Sequence, residues 1–221
     1  MISINRWKSA LDAILRPKIH SYYRKRLLEK ANGVLHIGAH FGQEASEYAS
    51  KNKKVIWIEA HPEYFERLRT TIEKYPNQVA INALVGVESS KTTKFFISSN
   101  EGASSSIFDL SLEHGFENIG LKMTNHVELE MKRLEDVVSP DMVKQLTHWV
   151  VDVQGAELAV LKGAGELINA AKSMEVEVST REVYQGGVLF DELKAFLSSQ
   201  GFEPVHHPPQ NWHGDILFIR A

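Results

Sequence analysis

An alternation of two hydrophobic periodicities beginning at Val34 constrains this 221-residue chain more than any other feature. Residues 34–37 form a short apolar run, 43–51 a polar, helix-prone stretch, and 54–58 an apolar, β-branched run. Pro62 then opens a segment with Tyr64, Phe65, Leu68, Ile72 and Tyr75 on one helical face, and residues 78–85 return to strand character. Strands joined through helices lie parallel, because a parallel pair needs a long crossover, and a parallel sheet is covered on both faces. This part of the chain therefore predicts a βαβαβ unit.

The remainder extends the pattern. Residues 94–98 and 127–133 read as strands flanking the small-residue stretch Glu101-Gly-Ala-Ser-Ser-Ser106. A helix is expected over 134–146, kinked or restarted at Ser139-Pro140, and a core strand over 148–153. Leu158, Leu161, Ala164 and Ile168 mark a helix, 172–179 a strand, and 188–200 a helix ended by Gly201. Strands 202–206 and 215–220 have no helix between them, so they form an antiparallel hairpin. The expected fold is an α/β, Rossmann-like domain with a seven-stranded, mostly parallel sheet, one antiparallel strand near its edge, and helices on both faces. Residues 1–30 form an N-terminal helical extension, with Trp7, Leu11 and Ile14 at helical spacing and Pro17 as an interruption, and residues 31–221 form the domain itself.

Composition narrows the chemistry. The chain contains no cysteine, which excludes disulfides, thiolate nucleophiles and thiolate-bound zinc. Eight of its 25 Lys and Arg lie in residues 1–30, against Asp12 and Glu29, so the rest is markedly acidic and nucleic acid is not an expected partner. No run approaches the roughly 20 apolar residues of a transmembrane segment, and Lys8, Asp12 and Arg16 break any signal-peptide core, so a cytoplasmic protein is expected. The basic first segment, with Trp7, Tyr22 and Tyr23, is read as a helix packed on the domain or on a partner in a homodimer, ahead of contact with an anionic membrane surface.

Three stretches carry chemistry. Val34-Leu-His-Ile-Gly-Ala-His-Phe-Gly42 is a strand running into a glycine turn and then a helix, the place where open α/β sheets bind ligands. His40 and Gln43 stand where a dinucleotide fingerprint needs glycine, so the Gly38-x-x-x-Gly42 spacing suits a ligand without pyrophosphate, such as S-adenosylmethionine. Glu59 ends the second strand, where a carboxylate accepts both hydroxyls of a ribose. In Trp149-Val-Val-Asp-Val-Gln-Gly-Ala-Glu157, Asp152 ends a buried strand and Gly155 permits a close turn. A carboxylate there orients a methionine moiety, holds a substrate hydroxyl, ligates a metal, or only caps the helix. Ser104, Ser105 and Ser106 offer hydroxyls to a cofactor or a sugar, or are loop filler.

These stretches resemble the FkbM family of S-adenosylmethionine-dependent methyltransferases. His36-Ile-Gly-Ala-His-Phe-Gly42 is similar to the family's D-I-G-A-N-x-G turn, and Trp57-Ile-Glu59 to its acid-ended second strand. Val150-Val-Asp-Val-Gln-Gly-Ala-Glu-Leu-Ala-Val-Leu-Lys-Gly163 is similar to its K-x-D-x-E-G-x-E-x-x-x-L-x-G signature. Likeness continues through Glu177 to Gly214-Asp-Ile-Leu-Phe218, about 190 residues in all. His36 replaces the family's acid, His40 its Asn, and Gln154 the first Glu of the later signature. The resemblance implies a class I methyltransferase fold and O-methylation of hydroxyl groups on sugars, glycans or polyketides. It implies cofactor contacts from His36, Gly38, Ala39, His40, Gly42, Glu59, Ala60, Asn82, Ala83, Ser105 and Asp152.

Methyl transfer from a sulfonium to oxygen is an in-line displacement, so collinear positioning is the main task. An alcohol also needs help to lose its proton, and the candidates are Asp152, Glu177, His207 and His213. Adjacent His206 and His207 point to opposite faces if extended, so no metal site is expected. The rival readings are an NAD-dependent oxidoreductase and a catalytically silent glycan-binding or scaffold protein on the same fold.

Overall fold

The computed structural model describes residues 4–111, 120–208 and 212–221, apart from the side chains of residues 4–15. The side chains of Trp7, Leu11 and Ile14, and residues 209–211 of the C-terminal histidine-bearing loop, lie outside the described set. After helix α1 (Ile4–Lys30), strands β1 (Gly33–Ile37), β2 (Lys54–Glu59) and β3 (Gln78–Asn82) alternate with α2 (Ala45–Ser50) and α3 (Pro62–Ile72). Every residue of β1 is buried, as befits a strand with neighbours on both sides and helices on both faces. Pro62 occupies the first turn of α3, where its missing N–H breaks no bond, and Tyr64, Leu68 and Ile72 are buried beneath it.

Next come β4 (Leu84–Val85), β5 (Lys91–Ser98), β6 (Met123–Lys132), α4 (Leu134–Val137), α5 (Pro140–Val143), β7 (His148–Val151), α6 (Glu157–Gly163), β8 (Ser173–Ser179), α7 (Phe190–Ser199), β9 (Phe202–Pro204) and β10 (His213–Arg220). The main sheet has seven strands in the order β3-β2-β1-β7-β8-β10-β9. Only β10 is reversed, pairing antiparallel with β8 and β9 beside the edge, as the hairpin expectation requires. Leu28, Tyr48, Leu68 and Ile72 from α1 to α3 cover one face. Leu134, Val143, Leu158, Leu161, Leu193 and Leu197 from α4 to α7 cover the other. Each such side chain, fully buried, stabilises the fold by roughly 1.5–3 kcal/mol. No helix among the described residues is long and apolar enough to cross a membrane.

Two elements depart from the sequence pattern, each because of a bond to another part of the chain. The strand expected over 78–85 is two: Asn82 Nδ2 donates to the carbonyls of Glu59 and Ala60, which ends β3, and β4 joins a second sheet of order β4-β6-β5. The helical stretch over 134–146 restarts at Pro140 as expected, with the Ser139 side chain accepting from the Met142 N–H. Helix α1 runs through Pro17 instead of stopping there. Proline costs a helix one backbone bond, and here side-chain bonds on either side of it offset that loss. Arg16 donates to the Asp215 carbonyl at 2.6 Å, and Arg24 to Glu175 at 2.9 Å and Glu47 at 2.8 Å.

Candidate active site

The chain leaves β1 toward β2 on one side, while β7 leads to β8 on the other, so the β1–β7 pair is the topological switch point where ligands bind. A cavity of about 250 Å³ lies there. It is walled by the turn after β1 (Gly38, Ala39, His40), the end of β2 (Glu59, Ala60) and the end of β7 (Asp152). Gly38 has φ +87°, and a Cβ there would stand 1.6 Å from the Asp152 carbonyl oxygen. Only glycine lets the turn press this closely on the end of β7.

Glu59 is built into this turn by the main chain. Its Oε2 accepts from the His40 N–H and its Oε1 from the His61 N–H, both at 2.8 Å. His40 sits at φ +46°, with its ring Nε2 donating to the Glu101 carbonyl (2.9 Å) and its Nδ1 accepting from the Gln43 amide (2.8 Å), which ties the turn to the serine loop. Burial pushes the Glu59 carboxyl up to about 7, against the pull of its backbone donors. Apolar side chains of Ala60, Ala83, Leu84, Val85 and Phe95 form the wall beside it.

The other side of the cavity is held by side chains. Gln154, at φ +56°, donates its amide to Asp152 Oδ1 at 2.6 Å and to Glu177 Oε2 at 2.8 Å, and accepts from the Tyr184 hydroxyl. Asp152 and Glu177 stand side by side, with oxygens within 4.8 Å of each other and one amide shared between them. His213 Nε2 meets Glu177 Oε1 at 3.0 Å, and its Nδ1 meets Ser179 at 2.8 Å. Parallel β8 ends where antiparallel β10 begins, so the pairs His213↔Ser179 and Asp215↔Glu177 bring these groups to one end of the sheet. Burial, then the charge of Glu177, raises the Asp152 carboxyl well above its ordinary value. Burial, then Glu157, raises that of Glu177. Oxygens of Asp152, Glu157 and Glu177 lie within 4.8 Å of one another. The Gln154 amide already bridges two of them, and Glu157 accepts from the Val153 and Gly155 N–H groups of the turn before α6, a helix that no side chain caps, Asp152 included.

The remaining expected residues divide. His36, Gly38, Ala39, Ala60, Ala83 and Ser105 line the cavity, while Gly42 and Asn82 do not. At Gly42 an added Cβ would meet Leu68 at 2.7 Å, so this glycine serves packing against α3. Asn82 braces the end of β2 from outside the wall. His36 is buried, stacked on Trp57 at 4.7 Å and bonded to the Tyr48 hydroxyl at 3.1 Å, and burial holds it down to about 3. His207 is exposed, and its carbonyl accepts from Arg16. It is not brought to the carboxylate cluster.

The model of the methyltransferase FkbM domain family matches residues 36–204, most of the chain and both walls of the cavity. The chain belongs to the FkbM methyltransferase family. It is 26% identical over 200 residues to the 2-O-methyltransferase NoeI of Sinorhizobium fredii (strain NBRC 101917 / NGR234), covering 86% of this chain and 81% of that one. Its fold is similar to that of Aeropyrum pernix fibrillarin in complex with S-adenosyl-L-methionine, with a TM-score of 0.51 at 13% identity over 87% of this chain and 68% of the other. It is also similar to the N-terminal domain of EvdMO1 with bound S-adenosylhomocysteine, with a TM-score of 0.50 at 11% identity over 93% and 80%.

This FkbM-family protein is an S-adenosylmethionine-dependent methyltransferase. The cavity fits that cofactor in chemical character. An apolar wall and a backbone-held carboxylate lie on the β2 side, and carboxylates without a lysine or arginine among the described lining residues lie on the β7 side. Sequence reasoning missed Tyr184, which comes from a loop with no periodic signal. It recorded Gln154 only as a departure from the family pattern. It also missed Glu44, half-buried in the wall just before α2.

Proposed function

We propose that this methyltransferase acts on a hydroxyl group of a saccharide, glycan or related secondary metabolite, with Asp152 as the general base. One observation carries the reading: Asp152 stands in the cavity wall, joined through the Gln154 amide to Glu177, which meets His213. A carboxyl pair with a raised proton affinity is suited to accept a proton from a weakly acidic alcohol, and His213 is placed to pass it onward. The cofactor supplies an electrophilic methyl group on a sulfonium. With the cofactor bound, the Asp152–Glu177 pair would take the proton that the acceptor hydroxyl gives up on methylation.

In this reading Glu59 accepts the ribose hydroxyls through the lone pairs its backbone donors leave free. Ala60, Ala83 and Val85 face the purine, and the Gly38-Ala39-His40 backbone supports the middle of the cofactor. Ser105, whose hydroxyl also accepts from the Ser98 N–H, offers a polar edge. Residues 31–221 form the catalytic domain, with residues 1–30 as an extension held on it by Arg16, His20 and Arg24. The likeness to a 2-O-methyltransferase supports a hydroxyl acceptor.

The test is a screen of nucleotide-sugars and oligosaccharides with methyl-labelled S-adenosylmethionine, with the product's methyl position located by mass spectrometry. The label is expected on a sugar oxygen. Transfer only to nitrogen or carboxyl acceptors would overturn the assignment.

A further inference from the structure

The acidic residues lining the cavity are Glu44, Glu59 and Asp152. A second cavity of about 80 Å³ lies beneath α1 and shares the walls His36, Glu44 and Asp152 with the first. Its one guanidinium, Arg24, is already committed, with Nε on both oxygens of Glu175 (3.1 and 2.9 Å) and Nη1 on Glu47 (2.8 Å). This end of the site therefore presents negative charge in excess.

S-adenosylmethionine brings two cationic groups, its sulfonium and its α-ammonium. A buried ammonium needs a carboxylate partner, because desolvation without one costs several kcal/mol. Position 36, where the family pattern places an acid, cannot provide it. His36 is neutral, and its Nδ1 is occupied by Tyr48. Glu59 lies on the β2 side and is held by His40 and His61. Asp152 is tied to Gln154 and crowded by Glu177. Glu44 differs from all three. Among the described residues no side-chain hydrogen bond holds its carboxyl, which feels the charge of Arg24 across the smaller cavity. It stands where the two cavities meet.

We propose that Glu44 is the counter-ion for the α-ammonium group of the bound cofactor, in place of the acid missing at position 36. This rests on the cofactor reading above and adds the residue that recognises the amino-acid tail. Glu44 precedes α2 on the far side of the turn that begins after His36 near the end of β1.

Calorimetry on the full chain with two probes tests this: S-adenosylhomocysteine, and the analogue identical to it except for the missing α-amino group. Glu44→Gln keeps the shape and removes the charge, and Glu44→Ala serves as a second variant. Both are expected to weaken S-adenosylhomocysteine by about 10-fold or more, the range for a charge-assisted hydrogen bond. Both should leave the deaminated analogue within about twofold of wild type. Unchanged affinity for both probes, or equal weakening of both, would overturn the role of Glu44. If wild type binds S-adenosylhomocysteine not at all, the cofactor reading fails with it, an outcome distinct from the other two. Melting temperatures of the free variants separate loss of fold from loss of binding.

Discussion

The two walls of the cavity both centre on buried carboxylates, yet they are built in opposite ways. On the β2 side Glu59 stands alone, and each oxygen is held by a main-chain N–H. On the β7 side Asp152 and Glu177 crowd each other and are held by the side chains of Gln154 and His213, with the Tyr184 hydroxyl bracing Gln154. A carboxylate fixed by the backbone depends on the path of the turn and tolerates change in nearby side chains. A carboxylate fixed by side chains can be retuned by single substitutions, because each neighbour alters its charge and proton affinity. The first arrangement suits a constant ligand such as a nucleoside, and the second suits chemistry that must match a particular acceptor.

The sharpest way to break this comparison is Asp152→Asn, which keeps the shape but not the charge. On the β7 wall it should lower methyl transfer by at least about 10²-fold, in line with loss of a general base, while the chain stays folded. Single-turnover transfer of labelled methyl to the acceptor found in the saccharide screen measures it. Near-normal turnover would remove Asp152 from the chemistry.

The β2 wall should show its character in stability. Glu59 has a carboxyl held at about 7 in the folded chain against an ordinary 4.5. The folded state thus retains a proton that the unfolded state releases, and this stabilisation is lost as pH rises from about 4.5 to about 7. Glu59→Gln has no such proton, so between pH 4 and 8 its stability should gain about 3 kcal/mol relative to wild type. Urea midpoints across that range read the effect, and a flat difference would mean that the His40 and His61 N–H groups alone set the ionisation.

Glu59→Ala should weaken S-adenosylhomocysteine binding by about 1.5–3 kcal/mol, the worth of hydrogen bonds to a charged group. Unchanged affinity with an intact fold would take Glu59 out of the cofactor site. The smallest effect belongs to Tyr184→Phe, which removes the donor to Gln154. It should cost about 1 kcal/mol of stability and less than about tenfold in transfer rate. A loss as large as that of Asp152→Asn would instead make Tyr184 a principal proton carrier.

Much of the architecture was legible in the residues, because hydrophobic periodicity and turn glycines are local signals. Alternating runs from Val34 gave the parallel sheet, the helix-free link between the last two strands gave the reversed strand, and Glu59 and Asp152 could be placed at strand ends by counting. Where the reading erred, a longer-range bond intervened. Asn82 ends β3 by reaching across to the Glu59 carbonyl of β2, and bonds from Arg16 and Arg24 to the sheet carry α1 through Pro17.

The sequence by itself determined the order of elements, the family and the kind of cofactor, since these depend on patterns spanning a few consecutive residues. Only the tertiary structure decided which polar groups meet. Residues 30 apart bring the Tyr184 hydroxyl to Gln154, and 34 separate His213 from Ser179. Glu44 enters the cavity wall from a short polar stretch that no periodicity distinguishes. Such meetings depend on strand register and on the angle at which each loop leaves the sheet. Neither is encoded in the spacing of residues along the chain, whereas the burial of apolar faces that sets strand order is.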